Sequence, residues 1–307
     1  MSVHRSLRHD SALKHVAGEA VYIDDMPEPP GTLHGALVLS PVAHGKLNKV
    51  SVPPAPGVVA VLGPADIPGK NDIAPTQNEP LFATDEVIYA GQPLLLVVAT
   101  SLDAARHAAE KAMIEIEALP AILDIDSALA AKAYVQAPAT ILRGDPDAAM
   151  KSAPHTLMGE FTVGGQEHFY LEGQIAFALP GEDGDLVVHS STQHPTEVQH
   201  VCARVLGYDF NRVTTVVRRL GGGFGGKESN ASWVAAAAAL AANHTGKPVK
   251  FRLPREIDMV ATGKRHPFLY RYEVGFDGEG RVLALDAMLA ADAGWSLDLT
   301  PGVMGRA

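Results

Sequence analysis

The sequence predicts an α+β fold in two domains, and three observations carry the prediction. Short apolar runs bounded by proline and glycine recur along the chain, as buried strands do. Two stretches keep helical spacing of apolar residues and have start and stop signals of their own. A stretch rich in alanine, proline and aspartate, at about 122–145, links a first domain at 1–130 to a second at 146–307.

In the first domain, residues 35–39, 58–62 and 94–99 are the apolar runs. Thr100 and Ser101 with Asp103 mark a helix start, and Leu102, Ala105, Ala109 and Ala112 share one face of the helix that follows. Ile114, Glu115, Ile116 and Glu117 then alternate as a half-buried strand, and Pro120 ends the unit. A short helical stretch around Ser127 to Lys132 leads into the linker.

The second domain opens with strand-like HTLMGEFTV, the pair Gly164-Gly165 and the run to Pro180. A turn at Gly181 to Asp185 and the strand LVVHSS follow. The clearest helix has Pro195 in its first turn and Gly207 past its end, with Val198, Val201, Cys202 and Val205 at i, i+3, i+4, i+7 spacing. A strand over Arg212 to Leu220 leads to the glycine loop Gly221 to Gly226, a helix from about Ser229 to Asn243, and the strand VKFRL. Residues 268–291 read as two strands around the turn Asp277 to Gly280. No closing element is evident at the final VMGRA.

Composition excludes several classes. The chain has 307 residues, of which 47% are hydrophobic, enough for a substantial core. Its 25 basic and 35 acidic residues give a net charge of −10, which argues against a nucleic-acid binder. The longest apolar run, Trp233 to Ala242, is half of the roughly 20 residues that span a bilayer. With no apolar segment at the N-terminus to act as a secretory signal, a cytoplasmic protein is expected. The single cysteine, Cys202, excludes an internal disulfide and any iron–sulfur cluster held by this chain alone.

Among candidate chemical groups, Cys202 lies on the apolar helix face and reads as structural. The 13 histidines show no HExxH or HxH pair, so no metal held by side chains is expected. The glycine loop is more specific. RRLGGGFGGKESN places five glycines in six positions between a strand and a helix, where backbone N–H groups can approach an anion. A Walker loop fails at Glu228, where a Ser or Thr hydroxyl should sit. A dinucleotide fingerprint matches literally at Gly221-x-Gly223-x-x-Gly226, with Glu256 after the next strand, and stays open as a rival.

GGQEHFYLEGQ at 164–174, RRLGGGFGGKES at 218–229 and TGKRHPFLYRYEVGFDGEGRVLALD at 262–286 closely resemble the large, molybdenum-cofactor-binding portion of the xanthine dehydrogenases. GEAVYIDDMP at 18–27, AHGKL at 43–47 and FATDEVIYAGQPLLLVVA at 82–99 resemble that family's hammerhead domain. The resemblance implies an N-terminal α/β-hammerhead-like domain followed by the first part of a molybdopterin-binding α+β domain.

It also implies roles. In that family a molybdopterin carries the molybdenum, and no protein side chain binds the metal. Gln166 matches the glutamine that hydrogen-bonds an oxo ligand, a task a neutral amide performs without altering the metal's charge. Phe224 and Gly225 match the pair that packs by the cofactor and offers a backbone N–H. Glu228 matches the glutamate that orients a purine, which tilts the expected substrate from aldehydes towards purines. The implied activity is hydroxylation of hypoxanthine or xanthine with water as oxygen source. Electrons would pass to Fe–S centres, FAD and NAD on a partner small subunit, in a hetero-oligomer. The family's substrate arginine and essential glutamate base fall in segments downstream of the match, so this chain alone is expected to be inactive. The alternatives are a non-catalytic scaffold for assembly or cofactor handling, and an aldehyde oxidase-type hydroxylase.

Overall fold

The computed structural model describes residues 3–74 and 79–307. Helix α1 (Ala12–Ala17) precedes strands β1 (Leu33–Leu39), β2 (Gly45–Ser51), β3 (Val58–Leu62), β4 (Glu86–Val87) and β5 (Pro93–Ala99). Helix α2 (Leu102–Glu110) and strand β6 (Met113–Ala118) follow. Helices α3 (Ile125–Ala131) and α4 (Pro146–Ser152) lie along the connection to β7 (His155–Val163), β8 (Ile175–Pro180) and β9 (Leu186–Ser190). Then come α5 (Pro195–Leu206), β10 (Val213–Val216), α6 (Asn230–Thr245), β11 (Val249–Arg252) and α7 (Arg255–Ala261). The chain closes with β12 (Phe268–Phe276), β13 (Val282–Ala291) and α8 (Thr300–Met304). This last helix occupies part of the stretch where no closing element is evident from sequence.

A seven-stranded sheet runs β10-β9-β8-β11-β1-β5-β3. Its β1–β11 pair is parallel, with Leu33 opposite Val249, so strands from both sides of the 122–145 connection share one sheet. Two three-stranded sheets, β13-β12-β7 and β4-β2-β6, flank it.

The core forms where α5 and α6 pack on that sheet. Every residue of α6 from Ala231 to Ala242 is buried, as expected of a helix that is apolar all round. Its alanines are small enough to let α5 and β8 approach on different sides. Both helices end on a left-handed glycine, Gly207 at φ 68° and Gly246 at φ 65°, which frees the chain to turn back. The strand expected to run to Leu220 stops at Val216. As the edge strand, β10 has only β9 to pair with, and that ladder ends at Val216 opposite His189. Residues 217–220 therefore leave the sheet and deliver the glycine loop. No helix among the described residues is long and apolar enough to cross a membrane.

Candidate active site at the glycine loop

The loop between β10 and α6 adopts backbone angles that most side chains avoid. Gly222 and Gly225 have φ of 97° and 95°, and Phe224 is left-handed at 55° while its ring is 65% exposed. Gly226 is needed for a different reason, close approach. A Cβ there would lie 2.7 Å from His168 Cγ and 2.8 Å from Tyr170 Cε1.

Beneath the loop, a polar network fixes its backbone. Lys227 is completely buried, and its Nζ donates to Glu172 O at 2.6 Å and Ser191 Oγ at 2.5 Å. Ser191 Oγ in turn donates to Glu172 Oε2 at 2.7 Å, and the same oxygen accepts the Gly221 N–H at 2.8 Å. Burial lowers the Lys227 pKa to about 8, against the opposing pull of the Glu172 charge. Thr192 Oγ1 and Gln193 N–H donate to Lys227 O, and Gln174 Nε2 donates to Gly226 O. Gln174 also bonds the Tyr170 hydroxyl, which donates to the buried carboxylate of Asp258 at 2.8 Å.

Two segments far apart in sequence meet here. The Arg265 N–H donates to Gln166 O at 3.2 Å, and its Nη2 donates to Phe224 O at 3.1 Å. His168 flanks the loop at Gly225 and Gly226. Desolvation, reinforced by the Arg265 charge, lowers its pKa and favours a neutral ring.

Residues 130–307 match the model of the molybdopterin cofactor-binding domain, and residues 17–120 match that of the aldehyde oxidase and xanthine dehydrogenase a/b hammerhead domain. The chain belongs to the xanthine dehydrogenase family. A xanthine dehydrogenase of Emericella nidulans is 42% identical over 305 residues, covering 97% of this chain and 22% of that protein. A nicotinate hydroxylase of the same fungus is also 42% identical, covering 99% of this chain and 23% of its own length. Among solved structures, the aldehyde oxidoreductase of Desulfovibrio gigas superposes with a TM-score of 0.78 at 28% identity, covering 91% of this chain and 33% of the other. The chain thus spans less than a quarter of the length of these curated relatives.

Against that family background, the structure places the expected site residues unequally. Phe224 and Gly225 sit on the outer side of the loop, but the Gly225 N–H is already bonded to Gln193 Oε1 at 3.0 Å. Gln166 is exposed and is linked to the loop through Arg265, whose N–H its backbone carbonyl accepts. Glu228 is half-buried at the start of α6, and its carboxylate accepts no hydrogen bond from the described residues.

Gln193 is the residue that sequence reasoning missed. Its Oε1 accepts N–H bonds from Gly225 and, at 3.2 Å, from Lys227, and it fills the space that a Cβ on Gly223 would need. Two donors on one atom assign that atom as oxygen. The amide nitrogen therefore points away from the loop backbone, with no partner among the described residues.

These residues fit a molybdopterin group. They provide a glycine cradle closed underneath by bonded polar groups, an exposed aromatic ring above it, and an outward amide with its donor hydrogens free.

Proposed function

We propose that this chain supplies the cofactor-facing part of a molybdenum hydroxylase acting on hypoxanthine or xanthine, with water as the oxygen source. When bound, the molybdenum cofactor supplies the redox centre that takes electrons from the substrate. Fe–S centres and FAD on a partner subunit, or on another part of a longer chain, carry those electrons on towards NAD.

The chain's own residues orient the reactants. Gln193, its oxygen engaged by the loop, would offer its amide hydrogens to the cofactor. Gln166, also exposed, would hydrogen-bond the oxo ligand as the family resemblance implies. Phe224, its ring exposed, would pack against the bound cofactor. Glu228 accepts N–H bonds from the purine, or donates when protonated. Its carboxylate, without a hydrogen-bond partner among the described residues, is the observation that carries the purine reading.

The nicotinate hydroxylase relative raises a second reading, oxidation of an N-heterocyclic acid. Glu228 disfavours it, because a second carboxylate on the substrate would face a like charge.

The test is Glu228→Ala in the full-length, cofactor-loaded enzyme that contains this chain. Turnover of purines should fall about 10- to 150-fold, the worth of one hydrogen bond to a charged group expressed in the transition state. Turnover of a simple aldehyde should hold. Equal losses on both substrates would mean that Glu228 supports the fold or the cofactor instead. A loaded enzyme that oxidises nicotinate in preference to purines would favour the second reading, and failure to take up metal would leave the scaffold role.

A further inference from the structure

The segment that follows β13 is fastened beside Glu228. Trp295 stacks on Tyr89 with ring centroids 5.7 Å apart, and the Ser296 hydroxyl donates to Glu79 Oε1. Next along, the Ser229 hydroxyl donates to Asp298 Oδ2 at 2.9 Å. Asp298 holds φ at 33°, a left-handed angle that is strained for a residue with a Cβ. Such strain persists only where the surrounding contacts overdetermine it.

The Ser229 bond is unusual in what it forgoes. Ser229 sits in the N-cap position of α6, where a serine ordinarily accepts a backbone N–H of the first turn, yet it makes no such cap bond. The next side chain is engaged elsewhere too, since Asn230 Oδ1 accepts the Gly263 N–H at 3.0 Å. The start of a 16-residue helix is thus left without a side-chain cap of its own. A free helix N-terminus attracts carboxylates. Glu228 is the nearest carboxylate in sequence, and its charge is felt at the Asp298 carboxyl, whose pKa is raised first by desolvation.

We propose that Asp298 is a positioning residue that, through Ser229, keeps the Glu228 side chain turned towards substrate. Asp298 fixes the Ser229 rotamer and places its own negative charge beside the helix start. Glu228 is then not drawn back to cap the helix. Without Asp298, the Ser229 hydroxyl and the Glu228 carboxylate are both released to the first turn of α6.

This rests on the reading of Glu228 given above, and the experiment separates the two. In the full-length, loaded enzyme, Asp298→Ala should lower kcat/KM for hypoxanthine by about tenfold, the usual worth of one hydrogen bond. Turnover of a simple aldehyde should stay near wild type. Asp298→Asn keeps an acceptor for Ser229 and tolerates the left-handed angle, so it should restore most of the purine activity. Ser229→Ala breaks the same link from the other end and should reproduce the Asp298→Ala selectivity, which covers a poorly folding Asp298 variant. In the Glu228→Ala background, Asp298→Ala should cost purine turnover nothing further. Amide hydrogen exchange over residues 229–233 supplies a readout independent of activity. Protection there should hold or rise in Asp298→Ala as the freed groups cap the helix.

If Glu228→Ala itself fails to separate purines from aldehydes, the reading of Glu228 falls. If Glu228→Ala separates them but Asp298→Ala and Ser229→Ala lower both substrates alike, or neither, the positioning role of Asp298 is overturned. Loss of exchange protection over 229–233 would likewise overturn it, showing that Asp298 holds up the helix and not the side chain before it.

Discussion

Lys227 beneath the glycine loop and His44 just before β2, the central strand of the β4-β2-β6 sheet, are both held by oxygen acceptors, yet their pKa values move in opposite directions. The Lys227 ammonium meets a backbone carbonyl, a hydroxyl and a carboxylate, and burial still pushes it down to about 8. The His44 ring meets only two oxygens, Pro120 O at Nδ1 and Glu86 Oε1 at Nε2, each at 2.6 Å. The carbonyl bond first, then the carboxylate, raise its pKa above the ordinary 6.5. A carbonyl and an ionised carboxylate can only accept, so these contacts favour the protonated ring, in which both nitrogens donate. At Lys227 desolvation outweighs the partners, whereas at His44 the partners outweigh desolvation. At the loop a desolvated cation serves as a fixed peg. At the start of β2 an accessible ring serves as a clasp that can titrate.

The largest effect should come from removing the peg. Lys227→Met keeps the length and apolar stem of the side chain but leaves Glu172, whose side chain is 10% exposed, without its cation. Breaking one partner of a buried ion pair costs about 3–5 kcal/mol, which urea unfolding would read directly. A loss below about 1 kcal/mol would show that the loop holds by packing, in the range of an exposed pair.

Gly226→Ala separates packing from charge. The new methyl would press on His168 and Tyr170 at 2.7–2.8 Å without touching the Lys227 bonds. Overpacking of this kind costs about 1–3 kcal/mol. Gly278→Ala, with nothing within 4 Å of its Cβ, is the matched control and should sit close to wild type. Equal midpoints for the two variants would mean that the loop yields freely, and that the cradle is not preformed.

What could be read in the sequence divides along similar lines. Helices α5 and α6 and the glycine loop were legible because each carries its signal within a dozen or so residues, from Pro195 to Gly207 or across Gly221 to Gly226. Strand β2 was not. Its apolar Leu47 and Val50 fall out of period where the register shifts between Leu47 and Lys49, so GKLNKVS carries no strand alternation. Helix α7 hides for another reason, being seven residues that start straight after Pro254. In the site, the motifs located the glycine loop, but they did not point to Gln193, whose amide oxygen braces that loop. The partners of Gln193 lie 32 and 34 residues further along, and no local pattern encodes a contact at that range.

The smallest effect tests the clasp. Around His44 stand the carboxylate of Glu86 and, at the neighbouring register position, Lys46 between Glu86 and Glu117. Asp85 contributes its backbone carbonyl, which accepts the Leu47 N–H. Because the folded state raises the His44 pKa, it holds that proton more tightly than the unfolded chain does. The bridge therefore contributes in full below the unfolded value of about 6.5 and fades as pH rises through the raised folded value. His44→Gln removes the titration while keeping one donor for Pro120 O or Glu86. Urea unfolding at about pH 5.5 and about pH 8.5 should show wild type losing more stability over that interval than His44→Gln, with the two curves converging at the alkaline end. The imidazole resonance of His44 should titrate above 6.5 in the same interval. Parallel curves for the two proteins would mean that the Pro120 and Glu86 contacts carry no proton-linked energy. The contrast with Lys227 would then reduce to burial alone.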